Sequence, residues 1–367
     1  MLIGIDSSRA TAAQRTGTEA YSLAIIRALL DLDSPHDWRL YFRDPPAPPP
    51  DLFSPTRPYA HTLLRPRRLW THLGLSAELF RRRPDCLFIP AHVLPLYHPC
   101  PSVVTIHDLG YLHFPESHPM GQRLYLDWTT RFSARHATAL IADSEATKRD
   151  LIARYRVSAE KITVVYPGFD SALKPVRHPS RRSPVAEKYD LPDKFLLHVG
   201  TIQPRKNLER LIEAFDPSQI SLVLAGQRGW LADSIYEKGK AKGVLFLDYV
   251  DDEDLAALYS SAAAYVAPSL YEGFGFTVLE AMACGAPVIC SDGGSLPEVA
   301  GEAAIIVPAA DTQALAEAIR RVTTDEALRR SMIMNGFRNV GRFSWPRAAE
   351  QTLRAIESAG RSVNRSA

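Results

Sequence analysis

A glycine-rich turn flanked by two glutamates is the stretch of this sequence best suited to bind a ligand. Residues 269–287 follow an apolar run, pass through Gly273 and Gly275, and continue into a helical segment. Glycine lets the backbone approach an anion closely, and the free N–H groups at a helix start favour negative charge. We therefore expect a phosphate at this turn, with Glu272 and Glu280 accepting hydrogen bonds from a sugar and a ribose. The structural alternative is that Glu272 caps the helix and Glu280 is a solvated surface residue.

Two adjacent cations follow another apolar run. Residues 200–207 read Gly-Thr-Ile-Gln-Pro-Arg-Lys-Asn and open a second helix. Arg205 can hold phosphate oxygens with its forked guanidinium, and Lys206 adds a compact positive charge. Together they could stabilise a departing diphosphate without a metal ion. Solvated basic residues at a helix start are the alternative, and the coincidence with the glutamate turn favours the ligand site.

A histidine ends an apolar strand in the first half of the chain. His107 stands beside Asp108, where a ring nitrogen could donate to a sugar hydroxyl or accept a proton. The alternative is a structural histidine whose hydrogen bonds are satisfied within the protein. Because ligands of doubly wound folds bind at the carboxyl ends of strands, the functional role is favoured.

These residues resemble the retaining GT-B glycosyltransferases of family 4, also called glycosyltransferase group 1. The nucleotide-sugar signature of that family is a glutamate, seven residues and a second glutamate, which Glu272 and Glu280 match. The likeness extends to residues 200–207, to residues 105–108 and to the loop at residues 15–19. It therefore spans nearly the whole chain.

The resemblance implies a role for each donor-binding residue. Arg205 and Lys206 would hold the phosphates of a nucleotide-diphosphate sugar, and Glu280 the ribose hydroxyls. Glu272 would hold the transferred sugar together with neighbouring backbone. That backbone comprises Gly273, Phe274 and Gly275.

Further roles implied by the resemblance fall on the first half of the chain. His107 would face the sugar from the other domain, and Gly17 would give the backbone a path near the donor phosphates and the acceptor. The implied mechanism is metal-independent, with the leaving phosphate oxygen helping to deprotonate the incoming hydroxyl on the same face of the sugar.

Alternating apolar and amphipathic segments predict the fold class. Runs rich in Val, Ile and Leu alternate with helical segments through both halves, which is the pattern of parallel sheets covered by helices. The predicted strands are residues 2–6, 40–42, 87–90, 103–107, 139–142, 162–165, 195–199, 222–225, 244–247, 264–267, 288–290 and 304–307. We expect an α/β protein with two doubly wound, Rossmann-like domains, and the resemblance implies the GT-B fold, in which they face each other across a cleft.

Proline-rich segments indicate the domain boundaries. Residues 173–193 hold four prolines among many charges and lack periodicity, so they predict a linker. The predicted organisation is an acceptor domain at 1–175, a linker at 176–193, a nucleotide-sugar domain at 194–344, and a last helix at 345–367 that crosses back to the first domain. A second proline-rich stretch, residues 44–58, predicts an extended surface loop.

The composition of the chain limits the kinds of partner and the cellular compartment that we expect. The chain is 46% hydrophobic and 23% charged, as folded proteins are, and its net charge of +2 is too small to indicate nucleic-acid binding. Its four cysteines form no metal or disulfide pattern, and no signal peptide or spanning segment is evident, so we expect the cytoplasm. The acidic run at residues 251–254 fits a helix start better than a metal-binding Asp-x-Asp, and we expect no metal and no cofactor.

Residues 65–83 mix six arginines with apolar side chains. Such a surface could contact anionic lipids at the inner face of the membrane. A helix packing on the first sheet with basic ends is the alternative, and by pattern alone it is favoured.

The function predicted is transfer of a hexose, with mannose from GDP-mannose as the guess, to a glycan or lipid-linked acceptor. Alternatives are a nucleotide-sugar epimerase or a phosphorylase on the same fold, and a non-catalytic nucleotide-sugar-binding subunit. A nicotinamide dehydrogenase is disfavoured because neither candidate nucleotide strand is followed by Gly-x-Gly-x-x-Gly.

Overall fold

The computed structural model of the chain describes residues 1–12, 17–45, 58–115, 119–176 and 184–364. Two compact units divide it. The first comprises Met1–Leu112, Met120–Gly168 and Phe343–Ala367, and the second comprises His113–Pro119 and Phe169–Arg342. Parts of the two proline-rich segments, residues 46–57 and 177–183, lie outside the described residues.

The first unit is built on a parallel sheet. Its strands are β1 (Leu2–Asp6), β2 (Asp37–Phe42), β3 (Ala60–Leu63), β4 (Cys86–Ile89), β5 (Ser102–Ile106), β6 (Ala139–Ala142) and β7 (Ile162–Val164). Its helices in this part of the chain are α1 (Gly17–Leu30), a π-helical turn (Thr71–Leu75), α2 (Ser76–Arg81), α3 (Gly110–His113), α4 (Met120–His136), α5 (Glu145–Tyr155) and a 3-10 turn (Ala159–Lys161). The strand order is β3-β2-β1-β4-β5-β6-β7.

The second unit repeats the plan. Its strands are β8 (Phe195–Val199), β9 (Ser221–Ala225), β10 (Leu245–Leu247), β11 (Ala264–Ala267), β12 (Val288–Ser291) and β13 (Ala304–Val307). Its helices are α6 (Pro184–Lys188), a 3-10 turn (Pro204–Lys206), α7 (Leu208–Ala214), α8 (Asp233–Ala241), α9 (Asp252–Ser261), α10 (Phe276–Ala283), α11 (Leu296–Ala300), a 3-10 turn (Gly301–Ala303), α12 (Thr312–Thr324) and α13 (Glu326–Val340). The strand order is β10-β9-β8-β11-β12-β13.

In both sheets the strand order reverses in the middle. In folds of this kind, ligands bind beside the point of reversal. In the second sheet β8 pairs with β9 on one side and with β11 on the other, all parallel. The loops that leave β8 and β11 therefore diverge to opposite faces and open a crevice at the carboxyl ends of the strands. Residues 200–207 and 269–275, which hold the predicted donor site, occupy these two loops.

Apolar side chains cover both faces of the sheets, as the sequence pattern predicts. In the second unit Leu208, Leu211 and Ile212 of α7 pack with Leu315, Ile319 and Val322 of α12 in one core cluster. In α7 the other two positions lie three and four residues after Leu208, and in α12 the positions are spaced by four and three residues, so one face of each helix is buried. Two elements escaped the prediction: β3, which is largely exposed and has no apolar run, and the short α6 within the predicted linker.

The last helix, α14 (Trp345–Asn364), is part of the first unit. It packs against α1, where the rings of Tyr21 and Trp345 meet edge to face at 5.7 Å between centroids. Glu357 accepts a hydrogen bond from His36 at 2.9 Å. Among the described residues no helix is long and apolar enough to cross a membrane.

We expect the close approach of the loops after β8 and β9 to require glycine at position 226. A Cβ there would lie 2.1 Å from the carbonyl oxygen of Gly200, and its φ of +142° disfavours any side chain. Gly226→Ala should therefore destabilise the fold by about 3 kcal/mol or more. Gly121→Ala is the control, because a Cβ there meets nothing within 4 Å. Thermal unfolding that left both variants equally stable would contradict this.

Candidate functional site

The loops after β8 and β11 are fastened to each other by hydrogen bonds. Asn207, in the left-handed region with φ +57°, donates from its side-chain amide to the carbonyls of Pro268 and Ala309, each at 2.9 Å. The backbone N–H of Leu270 donates to the Arg205 carbonyl at 2.9 Å. The 3-10 turn that carries Arg205 is thus held beside the glycine-rich turn.

A carboxylate between two cations lies at the centre of this crevice. Glu272 accepts hydrogen bonds from Arg205 Nη1 at 3.0 Å and from Lys206 Nζ at 2.6 Å. Arg205 Nη1 also donates to the Tyr271 carbonyl. All three charged side chains are largely buried, with 12–17% of their surface exposed. The structure therefore brings three of the predicted donor-binding residues into direct contact.

The two cations fix the charge of Glu272. Burial alone would raise the pKa of this carboxyl, but the positive charges of Arg205 and Lys206 outweigh burial and hold the pKa well below its usual range. Glu272 consequently remains a carboxylate throughout the neutral and mildly acidic range. Its side chain pairs with these cations and does not cap the helix, so the structural alternative for Glu272 is wrong.

Ser295 holds the turn that follows Glu272 through hydrogen bonds to its backbone carbonyls. Ser295 donates from its backbone and from its hydroxyl to the Glu272 carbonyl, both at 3.0 Å, and from its hydroxyl to the Phe274 carbonyl at 2.8 Å. Gly275, with φ +97°, is the N-cap of α10 and has no side chain to cover the helix start. Gly273 and Phe274 are buried within this turn.

Glu280 lies in α10 and is held by a tyrosine. The hydroxyl of Tyr259 in α9 donates to Glu280 Oε2 at 2.8 Å. Burial raises the pKa of Glu280, and the hydrogen bond from Tyr259 opposes the rise. Glu280 is therefore neither a freely solvated surface residue nor a direct partner of Glu272. The positive charge of Lys206 nevertheless acts on its pKa, which places it in the electrostatic neighbourhood of the basic pair.

In the first unit, His107 is bound through both ring nitrogens. It follows β5, and Nδ1 lies 2.6 Å from Asp143 Oδ2 while Nε2 lies 3.0 Å from the Pro90 carbonyl oxygen. Both partners accept hydrogen bonds, so this arrangement suits a ring protonated on both nitrogens. Burial would lower the pKa of His107, but Asp143 outweighs it and the pKa is raised. The expectation of a ring nitrogen open to a sugar hydroxyl or a proton is not met in this structure.

Gly17 is exposed and begins α1. The preceding residues of the predicted loop, Arg15 and Thr16, lie outside the described residues, so the backbone path expected there is described only from Gly17 onward.

Three residues near these side chains were missed by the sequence analysis. Asp143 directly follows β6, whose Ala142 pairs with Ile106 of β5, so the rule that singled out His107 would also have found Asp143. Tyr259 gives no comparable signal, because its contact with Glu280 spans 21 residues between two helices. His198 lies inside β8. In the sequence it is one polar residue within an apolar run, which gives no sign of a functional role.

The acidic run at residues 251–254 lies at a helix start, as expected. Asp251 is the N-cap of α9, and the next three residues form its first turn. Lys188 of α6 donates to Asp251 at 2.6 Å and to Asp254 at 2.7 Å. Within the described ranges, no cluster of three or more His, Cys, Asp or Glu side chains could hold a metal ion.

Two family models match the chain. Residues 15–173 match the model described as Glycosyltransferase Family 4, and residues 181–339 match the model described as Glycosyl transferases group 1. The first match ends just before the predicted linker at residues 176–193, and the second begins within it.

Relatives and solved structures agree with these matches. O-antigen chain mannosyltransferase B of Escherichia coli is 33% identical over 81% of this chain and 79% of its own length. The serotype-specific mannosyltransferase WbdA of Escherichia coli is 29% identical over 70% of this chain, which spans 33% of that longer protein. The crystal structure of HepE of Anabaena in complex with UDP-glucose superposes with a TM-score of 0.76 at 20% identity, over 98% of this chain and all of that one.

These comparisons confirm the predicted α/β class and GT-B fold. With both halves matched by models of one family and a relative that aligns over most of its length, the chain belongs to the group 1 glycosyltransferases of family 4 and is a glycosyltransferase.

Proposed function

We propose that the chain transfers mannose from GDP-mannose to a glycan or lipid-linked acceptor, with retention of anomeric configuration and without a metal ion. The observation that carries this proposal is the triad of Arg205, Lys206 and Glu272 at the carboxyl ends of β8 and β11. A nucleotide-diphosphate sugar offers that crevice a diphosphate for the cations and hydroxyl groups for the carboxylate.

The two cations supply the charge that a leaving diphosphate needs. As the bond between the anomeric carbon and the phosphate oxygen breaks, negative charge accumulates on the diphosphate. Arg205 and Lys206 are held in place beforehand by Glu272, so they can meet this charge without reorganising. This arrangement supports chemistry without a divalent cation.

The carboxylate of Glu272 is suited to bind hydroxyl groups and poorly suited to attack the sugar. A carboxylate whose pKa is depressed by two adjacent cations is a weak nucleophile, because its negative charge is already compensated. Retention would then follow the mechanism implied by the family resemblance, in which the leaving phosphate oxygen takes the proton of the incoming hydroxyl. We propose that Glu280, with its tyrosine partner, binds the ribose.

The donor is proposed from the relatives. Two of them, both from Escherichia coli, are named mannosyltransferases, which supports mannose. HepE was crystallised with UDP-glucose, so that nucleotide sugar is the second donor to test. From the first unit, we propose that His107 faces the sugar and that Gly17 lies near the phosphates and the acceptor.

The first unit has a surface suited to an anionic lipid membrane. Within residues 65–83, Trp70, Leu75 and Leu79 are buried in the core, as the packing alternative requires. Leu69 and Phe80, however, are 67% and 74% exposed. The arginines of this segment, Arg65, Arg67, Arg68, Arg81, Arg82 and Arg83, are all exposed.

The same surface continues onto α4. The rings of His72 and Trp128 lie 6.2 Å apart, and Met120, Leu124 and Tyr125 are exposed beside Trp128 along the helix. Apolar side chains surrounded by arginines suit a lipid headgroup region. We propose peripheral membrane contact through this surface, where a lipid-linked acceptor would be presented.

Product stereochemistry tests the proposed reaction. Incubated with GDP-mannose and a mannose-terminated oligosaccharide acceptor, the protein should form an α-mannoside, the same anomeric configuration as the donor. Proton NMR of the product distinguishes the two anomers. An inverted product would overturn retention, and transfer that requires added Mg²⁺ after treatment with a chelator would overturn metal independence.

Loss of one cation should abolish most diphosphate affinity. For Lys206→Met we expect the affinity for GDP to fall about hundredfold, because a largely buried ammonium no longer meets the phosphates. Thermal shift measures this, since a ligand that binds only the native state raises the melting temperature according to its affinity. The melting temperature of the ligand-free variant should also be lower than that of the wild-type protein, because Glu272 loses one of two ion-pair partners.

The control for this experiment is Lys238→Met, which removes an exposed lysine of the same unit. It should retain the GDP-induced shift of the wild-type protein. An unchanged shift in Lys206→Met would mean that the diphosphate binds elsewhere.

Membrane contact should depend on the exposed apolar side chains. Leu69→Ser should weaken binding to vesicles of phosphatidylglycerol and phosphatidylethanolamine about tenfold, because an exposed leucine can no longer enter the headgroup region. Leu231→Ser is a matched control, since Leu231 is 64% exposed and has a φ of +55° against +54° for Leu69. Equal sedimentation of both variants with the vesicles would refute the proposed surface.

A further inference from the structure

A buried histidine next to the basic pair has one unused nitrogen. His198 is the fourth residue of β8, and only 1% of it is exposed. Its Nδ1 lies 2.9 Å from the Val266 carbonyl oxygen on the neighbouring strand β11, and its ring stacks on Tyr265 at an angle of 11°. Nε2 is buried and has no hydrogen-bond partner among the residues that the structure describes.

The partner of Nδ1 determines what Nε2 can do. A carbonyl oxygen only accepts hydrogen bonds, so Nδ1 carries the proton. Burial, assisted by the positive charge of Lys206, lowers the pKa of His198 to about 4. The ring is therefore neutral at the pH of any ordinary assay, and Nε2 presents a lone pair that can only accept a hydrogen bond.

Nε2 and Lys206 Nζ both lie close to one point beside Gly200. Gly200 follows the strand with φ +147°, and a Cβ built on it would lie 3.6 Å from His198 Nε2 and 3.6 Å from Lys206 Nζ. Among the described residues other than Gly200 and its two chain neighbours, no atom is nearer to that point than Lys206 Cε at 3.5 Å. A hydrogen-bond acceptor and a cationic donor thus face the same small space, and glycine at position 200 leaves it open.

A hydroxyl group is the chemical group that complements this pair. Its oxygen can accept from an ammonium, and its hydrogen can be donated to a neutral imidazole nitrogen. A phosphate oxygen of a diphosphate ester has no hydrogen to donate, so it could bind Lys206 but would leave Nε2 unsatisfied. The geometry therefore selects a hydroxyl over a phosphate oxygen in this space.

We propose that His198 and Lys206 together bind one hydroxyl group of the transferred sugar, and that His198 thereby contributes to the choice of sugar. This rests on the proposed function, in which the donor binds this crevice. The sugar is preferred to the ribose because Lys206 is bonded to Glu272, the acid proposed to hold the sugar. Glu280, proposed to hold the ribose, is bonded to Tyr259 instead.

Binding of two ligands that differ in the sugar tests the proposal. We expect His198→Phe to weaken GDP-mannose binding about tenfold, because the hydroxyl loses its acceptor. Binding of GDP, which lacks the transferred sugar, should change less than about twofold by the same reasoning. His198→Gln, which can place an amide oxygen near the position of Nε2, should recover part of the lost affinity. Calorimetric titration of each ligand measures both constants.

Monodeoxy donors identify the hydroxyl. Among GDP-mannose analogues that each lack one hydroxyl, one should bind the wild-type protein about tenfold more weakly and bind His198→Phe with no additional loss. If His198→Phe does not fold, the same comparison is made with His198→Gln, for which the additional loss should be smaller than in the wild-type protein. If no analogue loses affinity, the proposal is wrong.

Two other results would also overturn it. An equal loss of GDP and GDP-mannose affinity in His198→Phe would mean that His198 acts on the phosphates, and no loss for either would mean that Nε2 binds no ligand group. If wild-type protein binds UDP-glucose but not GDP-mannose, the same comparison with UDP and UDP-glucose decides the role of His198. Wild-type protein that binds no nucleotide sugar would contradict the proposed function itself.

Discussion

The ion pairs of Glu272 with Arg205 and Lys206 are the interaction on which the proposed donor site depends. Two cations side by side in a crevice repel each other and are costly to bury, and the carboxylate between them makes the arrangement stable before any ligand arrives. The same carboxylate cannot compensate both charges fully, so the site keeps an affinity for further anions. In the proposed function, a diphosphate enters a site whose charges are already positioned, so little side-chain entropy is lost on binding.

Strand topology explains why residues so far apart in sequence meet there. Arg205 and Glu272 are separated by 67 residues, but β8 and β11 are neighbours in the sheet, and their loops diverge from adjacent carboxyl ends. Asn207 and Ser295 then hold the two loops through backbone carbonyls. The first unit uses the same principle, since β5 and β6 bring His107 to Asp143.

The sequence was sufficient to predict which loops would bring Arg205, Lys206 and Glu272 together, because glycines, charges and apolar runs mark the ends of buried strands. It was not sufficient for contacts between helices or within strands. The bond from Tyr259 to Glu280 depends on how α9 packs against α10, and no local pattern encodes that packing. The two ring contacts of His107 also depend on tertiary structure, so a nitrogen expected to meet the substrate is instead bound to Asp143 and Pro90. For His198, the sequence shows only one polar residue in a buried strand. It gives no sign that Nε2 has no hydrogen-bond partner among the described residues.

The position of α14 has a consequence for biosynthesis on the ribosome. This helix belongs to the first unit, and a Cβ on its Gly360 would lie 3.2 Å from the Met1 sulfur, so segments far apart in the sequence pack together. The segment Phe169–Arg342 is translated completely before α14 exists. During translation the first unit therefore remains incomplete until the second unit has been synthesised. Until then, the surface of α1 that α14 covers stays in contact with water.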